Sequence, residues 1–190
     1  MAAGEDRLKN IMAGKSATPR RATAILAASL LASSVSAGGL GAGTAQARCR
    51  ANESGPAIMV DVRGLKDRSG TLRLELYPDD AADFLADDTK LVGAGKTFRR
   101  VIVVPPAQGD PTLCIRTPSP GRYALALIHD RDGKPNFSIW HDGIGVPGNP
   151  SSLHGSPTVD QARVTVGSGI IHSSITMTYR RGLFSFAPLQ

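Results

Sequence analysis

Residues 71–77, TLRLELY, constrain the fold more than any other stretch: Leu72, Leu74 and Leu76 alternate with Arg73 and Glu75. In an extended strand that period of two puts the leucines on one face and the charges on the other, as a half-buried strand requires. The remainder keeps the same character, with short apolar runs separated by turn residues and no segment holding a helical period for more than a couple of turns. The runs predict strands over 57–62 (AIMVDV), 71–77, 97–104 (TFRRVIVV, stopped by Pro105-Pro106), 112–116 (TLCIR) and 123–129 (YALALIH), the last the most buried. A final pair, 162–166 and 170–179, is joined by Gly167-Ser168-Gly169, a tight-turn signal. Residues 64–70 (GLKDRSG) have the make-up of a hairpin connection, and 79–88 (DDAADFLADD) reads as one or two helical turns with Phe84-Leu85 facing inward. The fold expected is all-β: a single β-sandwich of about seven strands with one short helical excursion. Aromatic residues make up only 5% of the chain, so its core must be built mainly from Leu, Ile and Val.

The chain, 190 residues long, is sized for one domain, and its first 47 residues carry the marks of an export signal. Lys15, Arg20 and Arg21 precede an apolar run over 22–35, followed by small residues and Ala45-Gln46-Ala47. Cleavage is expected after Ala47, leaving residues 48–190 as the sandwich domain; Val35-Ser36-Ala37 is a second candidate, and Met12 a second candidate start. The run is too short and alanine-rich for a spanning helix. Arg20-Arg21 also permits the twin-arginine route, so the export pathway stays open. Arg48 puts a bulky charge where a lipobox at Cys49 needs a small residue, which argues against a lipid anchor.

Removing that segment takes away five Lys/Arg and two Asp/Glu and lowers the net charge from +6 to +3. The remaining basic charges are scattered singly apart from Arg99-Arg100 and Arg180-Arg181, so no phosphate-tracking stripe forms and nucleic acid is not an expected partner. Cys49 and Cys114 are the two cysteines, and in an oxidising compartment such a pair bridges. Closing that loop contributes about 4 kcal/mol on a chain-entropy account.

Downstream of the most buried strand, Pro120-Gly121-Arg122-Tyr123-Ala124, His129-Asp130, an Asp/Gly/Asn loop, Asp142-Gly143-Ile144-Gly145 and Asn149-Pro150 precede an A-x-V-x-V strand. Together with G-x-L-x-L-x-L-Y at 70–77, this run resembles a family of bacterial exported proteins catalogued as domain of unknown function 2141, over about residues 60–179. The resemblance implies an immunoglobulin-like or prealbumin-like sandwich exported to the periplasm or beyond, and no particular activity. Family members often carry an acidic D-x-N-x-N-G-x-x-D loop after this strand. Here the loop is shorter, and Lys134 places a positive charge where another oxygen ligand would help.

Alternate carboxylates around a glycine turn are how a loop supplies the six to eight oxygens of calcium. Asp130, Asp132, Asn136 and Asp142 are the candidate ligands, set against a plain solvated loop in which Asp and Gly serve turn geometry. His129, His141, His154 and His172 lack metal-site spacing, although His129 and His141 flank one loop. The expectation is that His129 hydrogen-bonds at the strand end and orients the Asp130 loop. Trp140 offers either a stacking face for a ligand or, the preferred reading, packing in the core or at the rim as a plug at the end of the sandwich. Tyr123 is expected to tie a loop to its strand through backbone, and Asn149 to brace the loop.

No G-x-S-x-G elbow or phosphate-cradling glycine loop is present. The leading expectation is therefore a non-enzymatic exported module that binds an envelope component or a small ligand through the loop 129–150, at His129, Asp130, Asp132, Asn136, Trp140 and Asp142. Two alternatives stand beside it. One is a metal-assisted hydrolase using His129, Asp130, His141 and Asp142; the other is a purely structural, calcium-stabilised domain.

Overall fold

A computed structural model describes residues 44–134, 136–183 and 185–189, so the expected export segment lies outside the described residues except for 44–47. In chain order the elements are α1 (Thr44–Ala47), β1 (Ala57–Arg63), β2 (Thr71–Pro78), α2 (Asp88–Gly93), β3 (Arg99–Val103), β4 (Thr112–Arg116) and β5 (Gly121–Asp130). They continue with β6 (Gly143–Gly145), α3 (Val159–Ala162), β7 (Arg163–Val166), β8 (Ile170–Thr176), β9 (Thr178–Arg181) and β10 (Ser185–Pro188). Two sheets face each other as a sandwich. The smaller runs β4-β1-β8, with β1 antiparallel to β4 and parallel to β8. The larger runs β10-β9-β6-β5-β2-β3; β7 pairs with Gly121–Ala124 of β5, while β6 takes Leu127–His129.

The alternation in β2 fixes how the layers meet. Leu72, Leu74 and Leu76 lie opposite His129, Leu127 and Leu125 of β5, and these leucines pack between the sheets against Ile58, Val60 and Val62 of β1. Burying three leucines contributes about 5–9 kcal/mol. A slip of one residue would exchange them for Arg73 and Glu75, so the register is strongly specified. Residues Tyr123 to Asp130 are buried throughout, as expected of the innermost strand.

The opposite face of the large sheet carries Arg73, Glu75 and Tyr77 beside Ile128, Ala126 and Ala124. Part of it is covered by a second apolar cluster in which Tyr77 meets the rings of Phe84 and Phe98 edge-on at 5.5 and 5.2 Å, with Leu91 buried beside them. The small side chains of Ala124 and Ala126 leave room for that cover. Two of its aspartates are caps: Asp80 accepts from the amides of Ala82 and Asp83, and Asp87 from those of Thr89 and Lys90, which starts α2.

Several expectations are corrected. Among the described residues there are ten strands, not about seven. Residues 64–70 do not close a hairpin, because β1 and β2 belong to different sheets and the segment crosses between them. Gly167-Ser168-Gly169 is likewise a crossing: β7 pairs with β5 and β8 with β1. The run 170–179 divides at Met177, its first part in the small sheet and its second in the large one. A period of two reveals which face is buried but not which neighbour a strand takes, and a Gly-Ser-Gly turn serves a corner as well as a hairpin. The helical turns expected over 79–88 take the form of a hydrogen-bonded turn over 81–85, in which Phe84 N donates to Asp80 O at 3.0 Å, and the regular helix begins at Asp88.

The bridge between Cys49 and Cys114 is present, with Cα atoms 5.8 Å apart. It ties the N-terminal segment to β4, where Ala47 is fully buried in the main core. Tyr123 donates to the carbonyl of Ser119 at 2.9 Å, the loop-to-strand tie expected of it. Asn149, at φ 44°, donates to Ser174 O at 2.8 Å and accepts from Thr176 N at 2.6 Å, bracing its loop against β8. No helix among the described residues is long and apolar enough to cross a membrane.

Candidate functional site

Where β5 ends, successive side chains leave on opposite faces, and the two candidate residues there part company. His129 points into the sandwich and is completely buried. Its Nε2 lies 2.8 Å from the carbonyl oxygen of Ser69 and its Nδ1 2.7 Å from the Tyr179 hydroxyl. A carbonyl can only accept, so Nε2 carries the proton and Nδ1 accepts from Tyr179, whose oxygen in turn accepts from Lys66 N at 3.0 Å. Burial holds the imidazole below its usual range and pushes the Tyr179 phenol up to about 12. Both ring nitrogens are committed, which leaves neither for a metal or a water. His129 is thereby held inside the core, so the set His129, Asp130, His141 and Asp142 does not converge as a hydrolase would need; His141 is exposed.

The glycine before Ile144 is part of this arrangement. Gly143 pairs with Tyr179 across the sheet, and a Cβ there would sit 2.8 Å from ring carbons of that tyrosine. A side chain at this position would push the phenol away from His129.

Outside the core, oxygens of Asp130, Asp132 and Asp142 gather within 4.8 Å of one another. Each carboxylate already shapes the turn. Asp142 accepts from Arg131 N at 3.0 Å and Ser138 N at 2.7 Å, Asp130 from Gly133 N at 2.8 Å, and Asp132 from Lys134 N at 3.1 Å with Lys134 Nζ also at 3.1 Å. Arg131 locks the loop from the other side: it is paired with Asp67 and donates to His141 O at 2.8 Å. That guanidinium holds the Asp67 carboxyl down at about 2. Asn136 is exposed and turned to the groove described next. Trp140 does not plug the sandwich: it is 64% exposed, with the Arg180 guanidinium stacked 3.3 Å above its ring. The short loop leaves the indole beyond the last layer of the core.

Beside this loop the uncovered part of the large sheet forms a groove of about 900 Å³. Ile102, Ile128 and Ile144 floor it, and Phe137, Ile139 and Phe186 line its apolar sides. Its polar half is an ion-pair network around Glu75, a carboxylate only 1% exposed. Glu75 accepts from Arg100 Nε at 2.6 Å and from the Tyr77 hydroxyl at 2.6 Å, and Arg100 reaches on to Asp88 at 2.7 Å. Burial, with the Glu75 charge second, drives the Tyr77 phenol above its ordinary range. Arg73 stands 3.9 Å from Glu75 and 3.8 Å from Asp130, too far for a hydrogen bond to either.

A family model described as an uncharacterized protein conserved in bacteria (DUF2141) matches residues 60–172. The chain belongs to this family. No curated protein matches the chain, and no solved structure does. The family span begins in β1 and ends in β8, so it takes in the acidic loop, His129 and most of the groove floor. Arg180 and Phe186 lie beyond it.

The sequence reading missed Arg73, Glu75, Arg100 and Arg180 as members of one site. The signal was there in β5, where Ala124 and Ala126 alternate with Leu125 and Leu127. Small residues on the outward face of a central strand mark a face that something covers, so charges at 73 and 75 on the adjacent strand are not simply solvated.

Proposed function

We propose that this chain is an exported, non-enzymatic binding module of the cell envelope that holds a small ligand in the groove of its larger sheet, with the loop 129–150 as part of the rim. The observation that carries this reading is the groove itself. At about 900 Å³ it falls in the size range of small-molecule sites, and it combines an apolar floor with a few placed charges. Export is supported by the disulfide and by the basic-then-apolar N-terminal sequence. A metal-assisted hydrolase is disfavoured by His129, which spends both nitrogens inside the core. The test is a thermal shift with the dialysable fraction of a periplasmic extract. It should stabilise the protein and leave Ile102→Phe, which enlarges a floor side chain, unmoved; equal shifts for both would refute the groove as the site.

Calcium belongs to this reading as a stabiliser of the rim, at Asp130, Asp132 and Asp142, with Asn136 the remaining candidate ligand. Millimolar calcium should raise the melting temperature of the protein but not of Asp132→Asn. An unchanged melting temperature in both would remove the ion from the account.

A further inference from the structure

The groove holds three arginines, Arg73, Arg100 and Arg180, and three acids, Glu75, Asp87 and Asp88, but they are not matched pair by pair. Glu75 and Asp88 are both spent on Arg100, at 2.6 and 2.7 Å, and Asp87 is occupied in capping α2. Two guanidiniums keep a nitrogen without a hydrogen bond among the described residues, although Arg73 stands 3.9 Å from Glu75 and 3.8 Å from Asp130. Arg73 has its Nε buried without a hydrogen-bond partner among the described residues, although its side chain is only 15% exposed. Arg180 likewise has a buried Nε without a partner among the described residues; it rests on Trp140 and reaches Leu183 O only at 3.4 Å. A guanidinium nitrogen removed from water and short of acceptors is unfavourable, and an anion held by the same guanidinium offsets that cost.

The sheet sets these two groups on opposite sides of an apolar strip. Arg73 is on β2 and Arg180 on β9, with β5 and β6 between them contributing Ile128 and Ile144 to the floor. Two donors that accept nothing, flanking isoleucines and faced by Phe137 and Phe186, complement a negatively charged head on an apolar body.

We propose that the groove takes an amphipathic organic anion, a carboxylate carried on an apolar chain, with Arg73 and Arg180 as the groups that recognise its charge; this rests on the groove being the binding site. Trp140, the sole tryptophan, reports on Arg180 directly.

The oxidised protein is titrated with decanoate, decan-1-ol and decyltrimethylammonium, read by tryptophan fluorescence and independently by thermal shift. Decanoate should bind saturably, at least about tenfold tighter than the alcohol, with no binding of the cation. Arg73→Gln and Arg180→Gln should each weaken decanoate about tenfold or more. Arg180 carries no ion pair to a buried acid among the described residues, so its variant keeps the test decisive if Arg73→Gln fails to fold. Decan-1-ol binding as tightly as decanoate overturns the anion while leaving the groove as a ligand site. Silence from all three probes sinks the groove reading as well. Decanoate binding unchanged in both variants, or a dimer that Arg180→Gln dissolves, assigns the groove to something else and overturns the proposal.

Discussion

Tyr179→Phe removes one oxygen and disturbs two hydrogen bonds that meet at it. In the native fold that hydroxyl donates to His129 Nδ1 at 2.7 Å and accepts from Lys66 N at 3.0 Å. The phenylalanine ring fills the same space, so no cavity forms; what is lost is the partner of a fully buried imidazole nitrogen and of a half-buried amide. Leaving a buried polar group unpaired costs about 1–3 kcal/mol, and the amide, nearer solvent, belongs at the lower end, so the expected loss is about 3 kcal/mol. For a domain of this size that lowers the melting temperature by about 10 °C. Urea unfolding of the disulfide-intact protein measures it, with an unchanged denaturant slope showing that only stability moved. Tyr123→Phe is the internal standard: it forfeits its tie to the Ser119 carbonyl, worth about 1 kcal/mol. His129→Leu combined with Tyr179→Phe should cost at least about 1 kcal/mol less than the sum of the two singles, because the double variant no longer strands the imidazole nitrogen. A loss below about 1 kcal/mol for Tyr179→Phe, or strict additivity in the pair, would refute the assigned proton arrangement.

Stability should fall as pH drops below about 6.5, the unfolded histidine value, because burial depresses the folded His129 value and the unfolded chain binds the proton more readily; His129→Gln should flatten that slope in urea midpoints taken between neutral and mildly acidic pH. A second loss belongs to Asp67, whose contribution is present above the ordinary carboxylate value of 3.8 and disappears toward about 2, and Asp67→Asn should remove it. Glu75→Ala strands the buried ends of Arg73 and Arg100 and is expected to cost about 3–5 kcal/mol by denaturant midpoint, more than Asp88→Ala, whose carboxylate is more exposed. On the proposed export reading, burial of Ala47 in the core sets the Val35-Ser36-Ala37 site against the expected cut after Ala47, which would discard it; N-terminal sequencing of protein recovered outside the cytoplasm should begin at Gly38, and a start at Arg48 would refute this.

What the sequence revealed and what it hid follow from one physical distinction. Leu72, Leu74 and Leu76, the strand 112–116, the buried run after Tyr123 and the Cys49–Cys114 bridge all depend on local alternation or on elimination, and each stands as read. Pairing is non-local. Nothing within 162–179 states that β7 joins β5 while β8 lies parallel to β1, and the glycine turn between them suits either outcome. The site divides the same way. Clustering of Asp130, Asp132 and Asp142 was legible from their spacing, whereas His129 was grouped with them although alternation alone places it on the other face of β5. Of the two placements open to Trp140, core and rim, the structure has the rim, where Arg180 gives its ring a polar partner at the surface.

The side chain of Asn149 has a consequence for how copies of this protein meet. A three-stranded sheet has two bare margins, and a row of unpaired amides and carbonyls is a template on which another chain can add itself. On β8 the carboxamide takes the Ser174 carbonyl and the Thr176 amide, the two groups an incoming strand would seek first. On β4 the bridge between Arg48 and Ile115 occupies the other margin, and the neighbouring disulfide pins it there. Reduction would therefore do more than loosen the fold: it would unmask a sticky border and make this chain prone to edge-to-edge polymerisation.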